Sequence, residues 1–132
     1  MNIPFSIARS GIGCQVLSIR CPLLEKLNIG GCCLSNKDLQ FLLNFTNLKS
    51  LNLARTKIAD ITMINIVRKN PKLVKVNLLR CKRITQKAVL EILQKEDNLR
   101  YLNVFGTKVN KYKGCKLLRQ CVNYESDISF IF

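Results

Sequence analysis

Apolar and polar positions alternate in a short pattern that returns four times along the chain. The copies are Leu24-Glu25-Lys26-Leu27-Asn28-Ile29, Leu48-Lys49-Ser50-Leu51-Asn52-Leu53, Leu73-Val74-Lys75-Val76-Asn77-Leu78 and Leu99-Arg100-Tyr101-Leu102-Asn103-Val104. Successive copies begin 24, 25 and 26 residues apart. Each reads as a short strand: in the first, Leu24, Leu27 and Ile29 point inward while Lys26 and Asn28 alternate outward. Self-similarity at this period marks a solenoid, in which each unit is one supersecondary element and its neighbours supply the burial.

Three residues past each strand comes Cys32, Thr56, Cys81 or Thr107, a small thiol or hydroxyl suited to a turn whose buried backbone groups need partners. A buried aliphatic follows (Leu34, Ile58, Ile84, Val109), then a helix start. Ser35-Asn36-Lys37-Asp38 has the capping-box pattern, and Asp60, Thr85 and Asn110 are the expected caps of the other helices. Helical spacing then links Leu39, Leu42 and Leu43; Met63, Ile66 and Val67; Val89, Ile92 and Leu93; and more weakly Leu117 and Leu118. Asn70-Pro71 stops the second helix.

The expected organisation is one domain over residues 1–132. An incomplete unit spans 1–23, with a helix over Gly13–Arg20 that includes Val16 and Leu17. Units follow at 24–47, 48–72, 73–98 and 99–123, and a cap at 124–132. At the far end either Cys121–Tyr124 repeats the Cys21 entry, which leaves Asp127 where an aliphatic belongs, or Ile128 and Ile131 form a last strand of shifted register; either way the tail Ile128–Phe132 is expected to cap the open edge. Open ends expose apolar surface and strand edges, so the chain is expected to be a piece of a longer array.

Charge changes the picture more than composition does. Against 8 acids stand 22 Lys and Arg, a net charge of +14, which favours acidic partners. Histidine is absent, removing the commonest general base and metal ligand together. The seven cysteines form no C-x-x-C pair, so no metal site is expected, and no cofactor. No signal peptide or membrane span is read from the sequence; the cysteines are expected to be reduced and the chain intracellular, in the cytoplasm or nucleus. Glu25, Asp38, Asp60 and Glu91 fall on unrelated faces, and Gly30-Gly31 is too short for a phosphate loop. The expectation is a binder and not an enzyme.

The stretch Cys21-Pro22-Leu23-Leu24-Glu25-Lys26-Leu27-Asn28-Ile29-Gly30-Gly31-Cys32 closely resembles the cysteine-containing class of leucine-rich repeat, and Cys81-Lys82-Arg83-Ile84-Thr85 matches that class's Cys-x-x-Ile-Thr signature. The resemblance runs from about Gly11 to Cys121. It implies an α/β leucine-rich repeat solenoid, a right-handed β–α superhelix with a short parallel sheet on the concave face and helices on the convex face. Thr56 and Thr107 depart from the signature by replacing its Cys. The best-known members are the F-box/leucine-rich repeat proteins, whose repeats hold substrates for cullin-RING ubiquitin ligases. The stretch ahead of the repeats here carries no Leu-Pro-rich segment of the F-box kind. The resemblance therefore implies a protein partner, a ubiquitination substrate or a ligase subunit.

Two surfaces are candidates for that partner. The outward strand positions form columns: Lys26, Ser50, Lys75, Tyr101; then Asn28, Asn52, Asn77, Asn103; then Gly30, Ala54, Leu79, Phe105. The asparagines read either as an amide ladder along the sheet or as ligand contacts. Leu79, Tyr101 and Phe105 read either as an aromatic anchor site or as residues covered by the tail. The second surface is a basic edge of Arg55, Lys57, Arg80, Lys82, Arg83, Lys108, Lys111 and Lys113, either a solvated charge run or a docking stripe for an acidic protein or nucleic acid. A basic platform for RNA or anionic surfaces is accordingly the alternative function, and a bare scaffold fragment the third.

Overall fold

Four three-residue strands form inside the four alternating segments. They are β1 (Lys26–Asn28), β2 (Ser50–Asn52), β3 (Lys75–Asn77) and β4 (Tyr101–Asn103), seen in a computed structural model that describes residues 11–95, 98–109, 112 and 129–131, Phe130 by its backbone alone. All neighbours pair in parallel and in sequence order, Lys26 opposite Ser50 opposite Lys75 opposite Tyr101. Parallel neighbours require crossover connections, and helices occupy them. They are a 3-10 helix (Asp38–Asn44) after β1, α2 (Asp60–Lys69) after β2 and α3 (Gln86–Lys95) after β3, while α1 (Gly11–Arg20) precedes β1. Consecutive helices pack on one another, as consecutive strands do. The result is a mixed α/β fold with one parallel sheet.

Burial follows the period-two pattern. Leu27, Leu51, Val76 and Leu102 are closed to solvent, as are Ile29, Leu53, Leu78 and Val104 just past the strands. Each asparagine then ends its strand. The side-chain Oδ1 of Asn28, Asn52, Asn77 and Asn103 accepts the N–H two residues on, from Gly30, Ala54, Leu79 and Phe105, each at 3.0 Å. This is the Asx turn, which competes with continued pairing. It also corrects the amide-ladder expectation: the amide oxygens serve their own backbones, not each other.

The turn residues do the work their chemistry predicts. Thr56 and Thr107 donate to the carbonyls of Leu53 (2.8 Å) and Val104 (2.6 Å), and the Cys81 thiol donates across to Leu53 at 2.9 Å. The capping box at Ser35 is present: Asp38 N–H donates to Ser35 Oγ (3.1 Å) and Ser35 N–H to Asp38 Oδ2 (3.2 Å). Thr85 caps α3 through the N–H of Lys87 (3.3 Å). Asp60, in contrast, does not cap its own helix. It lies inside α2 and accepts from the N–H and hydroxyl of Thr85, one unit later. Asn36 reaches forward likewise, to the N–H of Ala59 (2.9 Å) and the hydroxyl of Thr62 (3.1 Å). Asn110 lies outside the described residues.

Three further features are local. The helix after β1 is 3-10, with Leu39, Phe41 and Leu42 buried and the buried Phe45 following as its C-cap. In α1 the buried residues are Cys14 and Ser18, with Leu17 partly covered, while Val16, Ile12 and Ile19 face outward. The tail segment Ser129–Ile131 is a fifth parallel strand, β5, setting Phe130 opposite Leu102. Ile131 lies in this last strand as one expectation had it, in the asparagine column and 38% exposed. Ile128 lies outside the described residues, as do Leu117 and Leu118 of the fourth helix expectation.

Candidate functional site

The sheet face gathers most of the residues expected there. Lys26, Lys75 and Tyr101 surround a shallow hollow of about 290 Å³ floored by Asn28, Asn52 and Asn77, and Ser50 completes its lining. With each Oδ1 held by its own backbone, the Nδ2 groups of Asn28, Asn52 and Asn77 have no protein acceptor among the described residues. They form a row of donors, one per strand, at the strand spacing of about 4.8 Å. Lys75 Nζ lies 5.0 Å from the centre of the Tyr101 ring, a cation–π contact.

Asn103 differs from expectation, while Phe105 takes the outward position of the anchor reading. Asn103 is only 8% exposed: Ile131 of β5 stands beside it, and its amide donates to the Tyr101 hydroxyl at 3.4 Å. Little of Asn103 is therefore open to a partner, and its amide faces Tyr101. Phe105 is 50% exposed, so the tail strand does not cover it, while Leu79 and Tyr101 are half-buried. Ser50, with its short side chain, sits between Lys26 and Lys75 in one column.

The basic edge splits into a cleft and flanks. Arg55, Lys57, Arg80, Lys82 and Arg83 line a hollow of about 370 Å³ together with the buried Thr56. Lys108 is exposed further along, and Lys111 and Lys113 lie outside the described residues.

Three buried cysteines, Cys14, Cys32 and Cys81, are held protonated. Burial pushes the Cys14 thiol up to about 11, with Cys32 and Asp38 adding to the effect. Burial also raises Cys32, and raises Cys81 against the opposing hydrogen bonds of Thr56 and Arg55. A thiol held protonated is a poor nucleophile. Brief alkylation of the folded chain should label exposed Cys33 and leave Cys14 and Cys81 unmodified until denaturant is added, as read by peptide mass mapping. The raised thiols also give stability a pH limit. Their contribution is complete below the unfolded thiol value of about 8.5. It falls as pH rises toward about 11, where Cys14 ionises in the folded state too. Melting curves should therefore decline above pH 9.

Among the described residues no three His, Cys, Asp or Glu side chains gather where they could hold a metal ion. No helix among them is long and apolar enough to cross a membrane. No protein-family model matches the chain, and no curated protein matches it.

Proposed function

We propose that the chain is a module of cysteine-containing leucine-rich repeats, a right-handed β–α solenoid whose sheet lines a concave surface, and that this surface binds a protein partner without catalysing a reaction. The observation that carries this reading is the register. Parallel strands set one outward side chain per unit into columns, and the hollow between Lys26, Ser50, Lys75 and Tyr101 presents the unpaired amide donors of three asparagines. Such a floor suits the carbonyls and carboxylates of an extended partner segment, with half-exposed Phe105 as the apolar anchor at its rim. The resemblance of Cys21–Cys32 and Cys81–Thr85 to the repeats of F-box/leucine-rich repeat proteins makes a ubiquitination substrate, or a ligase subunit, the partner class.

Replacing Tyr101 by Ala together with Phe105 by Glu should reduce partner capture from cell extract at least about tenfold, since truncating such anchors costs 2 kcal/mol or more. The melting temperature should stay close to that of the parent, because neither side chain is in the core. Mass spectrometry showing the same captured proteins at the same yield would remove the sheet face as the binding surface. Ligase scaffold subunits in the capture support the adaptor role.

A further inference from the structure

The cleft at the strand exits has features that a solvated charge run does not require. Arg55 (φ 60) and Arg80 (φ 55) adopt the left-handed backbone conformation, at the turn positions where the first and fourth units carry Gly31 (φ 78) and Gly106 (φ 76). Glycine fits this conformation freely, and a side chain bearing a Cβ does not. Two adjacent units thus hold arginine where glycine is the easier residue. Backbone strain of this kind concentrates where a residue is needed for something other than stability.

The two turns are locked in register, since Arg55 and Arg80 donate their N–H groups to the carbonyls of Leu79 and Phe105 at 2.7 Å each. The Arg80 stem lies across Gly106, where an added Cβ would come within 2.8 Å of Arg80 Cγ. From the far side Arg83 extends an Nη1 to 3.5 Å from the Lys57 carbonyl. Five cations therefore converge on one hollow, and no acid lines it. Asp60, the acid nearest in sequence, is engaged by Thr85 through both carboxylate oxygens. The ion pairs among the described residues, Lys49–Glu25 and Arg68–Glu91, involve none of the five.

We propose that this cleft binds a phosphorylated side chain carried on a segment of a partner protein. Three of the five cations are arginines, whose planar forks match phosphate oxygens two at a time. A phosphoryl group brings nearly two charges and three acceptor oxygens, enough to engage forks from two units at once. A carboxylate has one charge and two oxygens. Single-stranded nucleic acid is the poorer fit, because its bases need aromatic stacking platforms and no aromatic residue lines the cleft. The cleft is separate from the sheet face, so its test stands whether or not Tyr101 and Phe105 hold a partner.

The test uses the full 132-residue chain and fluorescence anisotropy with two labelled peptide pools of random flanks, one with a central phosphoserine and one with serine. The phosphoserine pool should bind at least about tenfold more tightly, the scale of a charge-assisted contact. Arg55→Gly and Arg80→Gly should each reduce that affinity about tenfold while leaving the melting temperature the same or higher, since glycine relieves the left-handed strain. Lys87→Gln, on α3 outside the cleft, should change nothing. Equal binding of the two pools overturns the proposal, whether or not a single-stranded RNA oligomer or a phosphatidylserine vesicle binds instead. Loss of binding in Lys87→Gln equal to that in the arginine variants also overturns it, since the effect would then be net charge alone.

Discussion

Asn70→Ala should destabilise the chain by about 4 kcal/mol, the cost of stranding several buried polar groups together. Asn70 is fully buried directly after α2. Its Oδ1 accepts the N–H of Leu48 at 2.8 Å, and its Nδ2 donates to the carbonyls of Phe45 (3.0 Å) and Ile66 (2.9 Å). One side chain thus satisfies three main-chain groups: Phe45 of the preceding unit, Leu48 just ahead of β2, and Ile66 in α2. Alanine leaves all three inside without partners. Against a total stability of about 5–15 kcal/mol, that loss removes about a quarter or more of the fold's margin. Asn44→Ala is the control. Asn44 is exposed and makes one bond, from Nδ2 to Ser18 Oγ at 3.0 Å, so its loss should cost about 1 kcal/mol or less. Urea unfolding of both variants decides the matter. Equal midpoints would mean that Asn70 does not hold the units together.

Asn70 also shows where sequence reading stops. Asn70-Pro71 is visible as a helix stop, but an asparagine that ends a helix and one that staples two units look alike in one dimension. Short-range patterns were legible because they are set by local periodicity: the alternation that buries Leu51 and Leu102, the Ser35–Asp38 box, the Thr85 cap. Asp60 and Asn103 depart from expectation through contacts between units. Asp60 was assigned to its own helix because spacing gives no sign of a hydroxyl one unit later. The asparagine column was legible as a column, but whether each amide turns to its neighbour or to its own backbone depends on turn geometry. Asn103 reads as outward by alternation and is covered only because β5 arrives from far along the chain. In the basic edge the charges were evident, while the left-handed turns at Arg55 and Arg80 were not, since nothing in an arginine's identity predicts a positive φ. Their alignment with Gly31 and Gly106, one unit to either side, was the available signal.

Leu51→Asp should abolish cooperative folding, whereas Ser50→Asp, one residue away, should leave it intact. Leu51 is 1% exposed in the second strand, with Leu27 and Val76 beside it in register. Removing a buried leucine side chain costs about 3–5 kcal/mol through lost transfer energy and the cavity left behind. A carboxyl group put in its place must also be buried charged or take up a proton, so the total exceeds what a chain of this size can lose. Ser50 points the other way, half-buried between Lys26 and Lys75 in adjacent strands. An acid there has a lysine opposite it on each neighbouring strand, a gain of about 0–1 kcal/mol. Circular dichroism melts should show no transition for the first variant, and for the second a midpoint within a few degrees of the parent. The opposite pattern would place Leu51 on the outer face and invert every column assigned to the binding surface. Ser50→Asp then serves a second purpose as a fold-neutral probe of the hollow: it reverses the charge facing a partner's carboxylates, so a partner held by the sheet face should be lost while phosphopeptide binding at the arginine cleft persists.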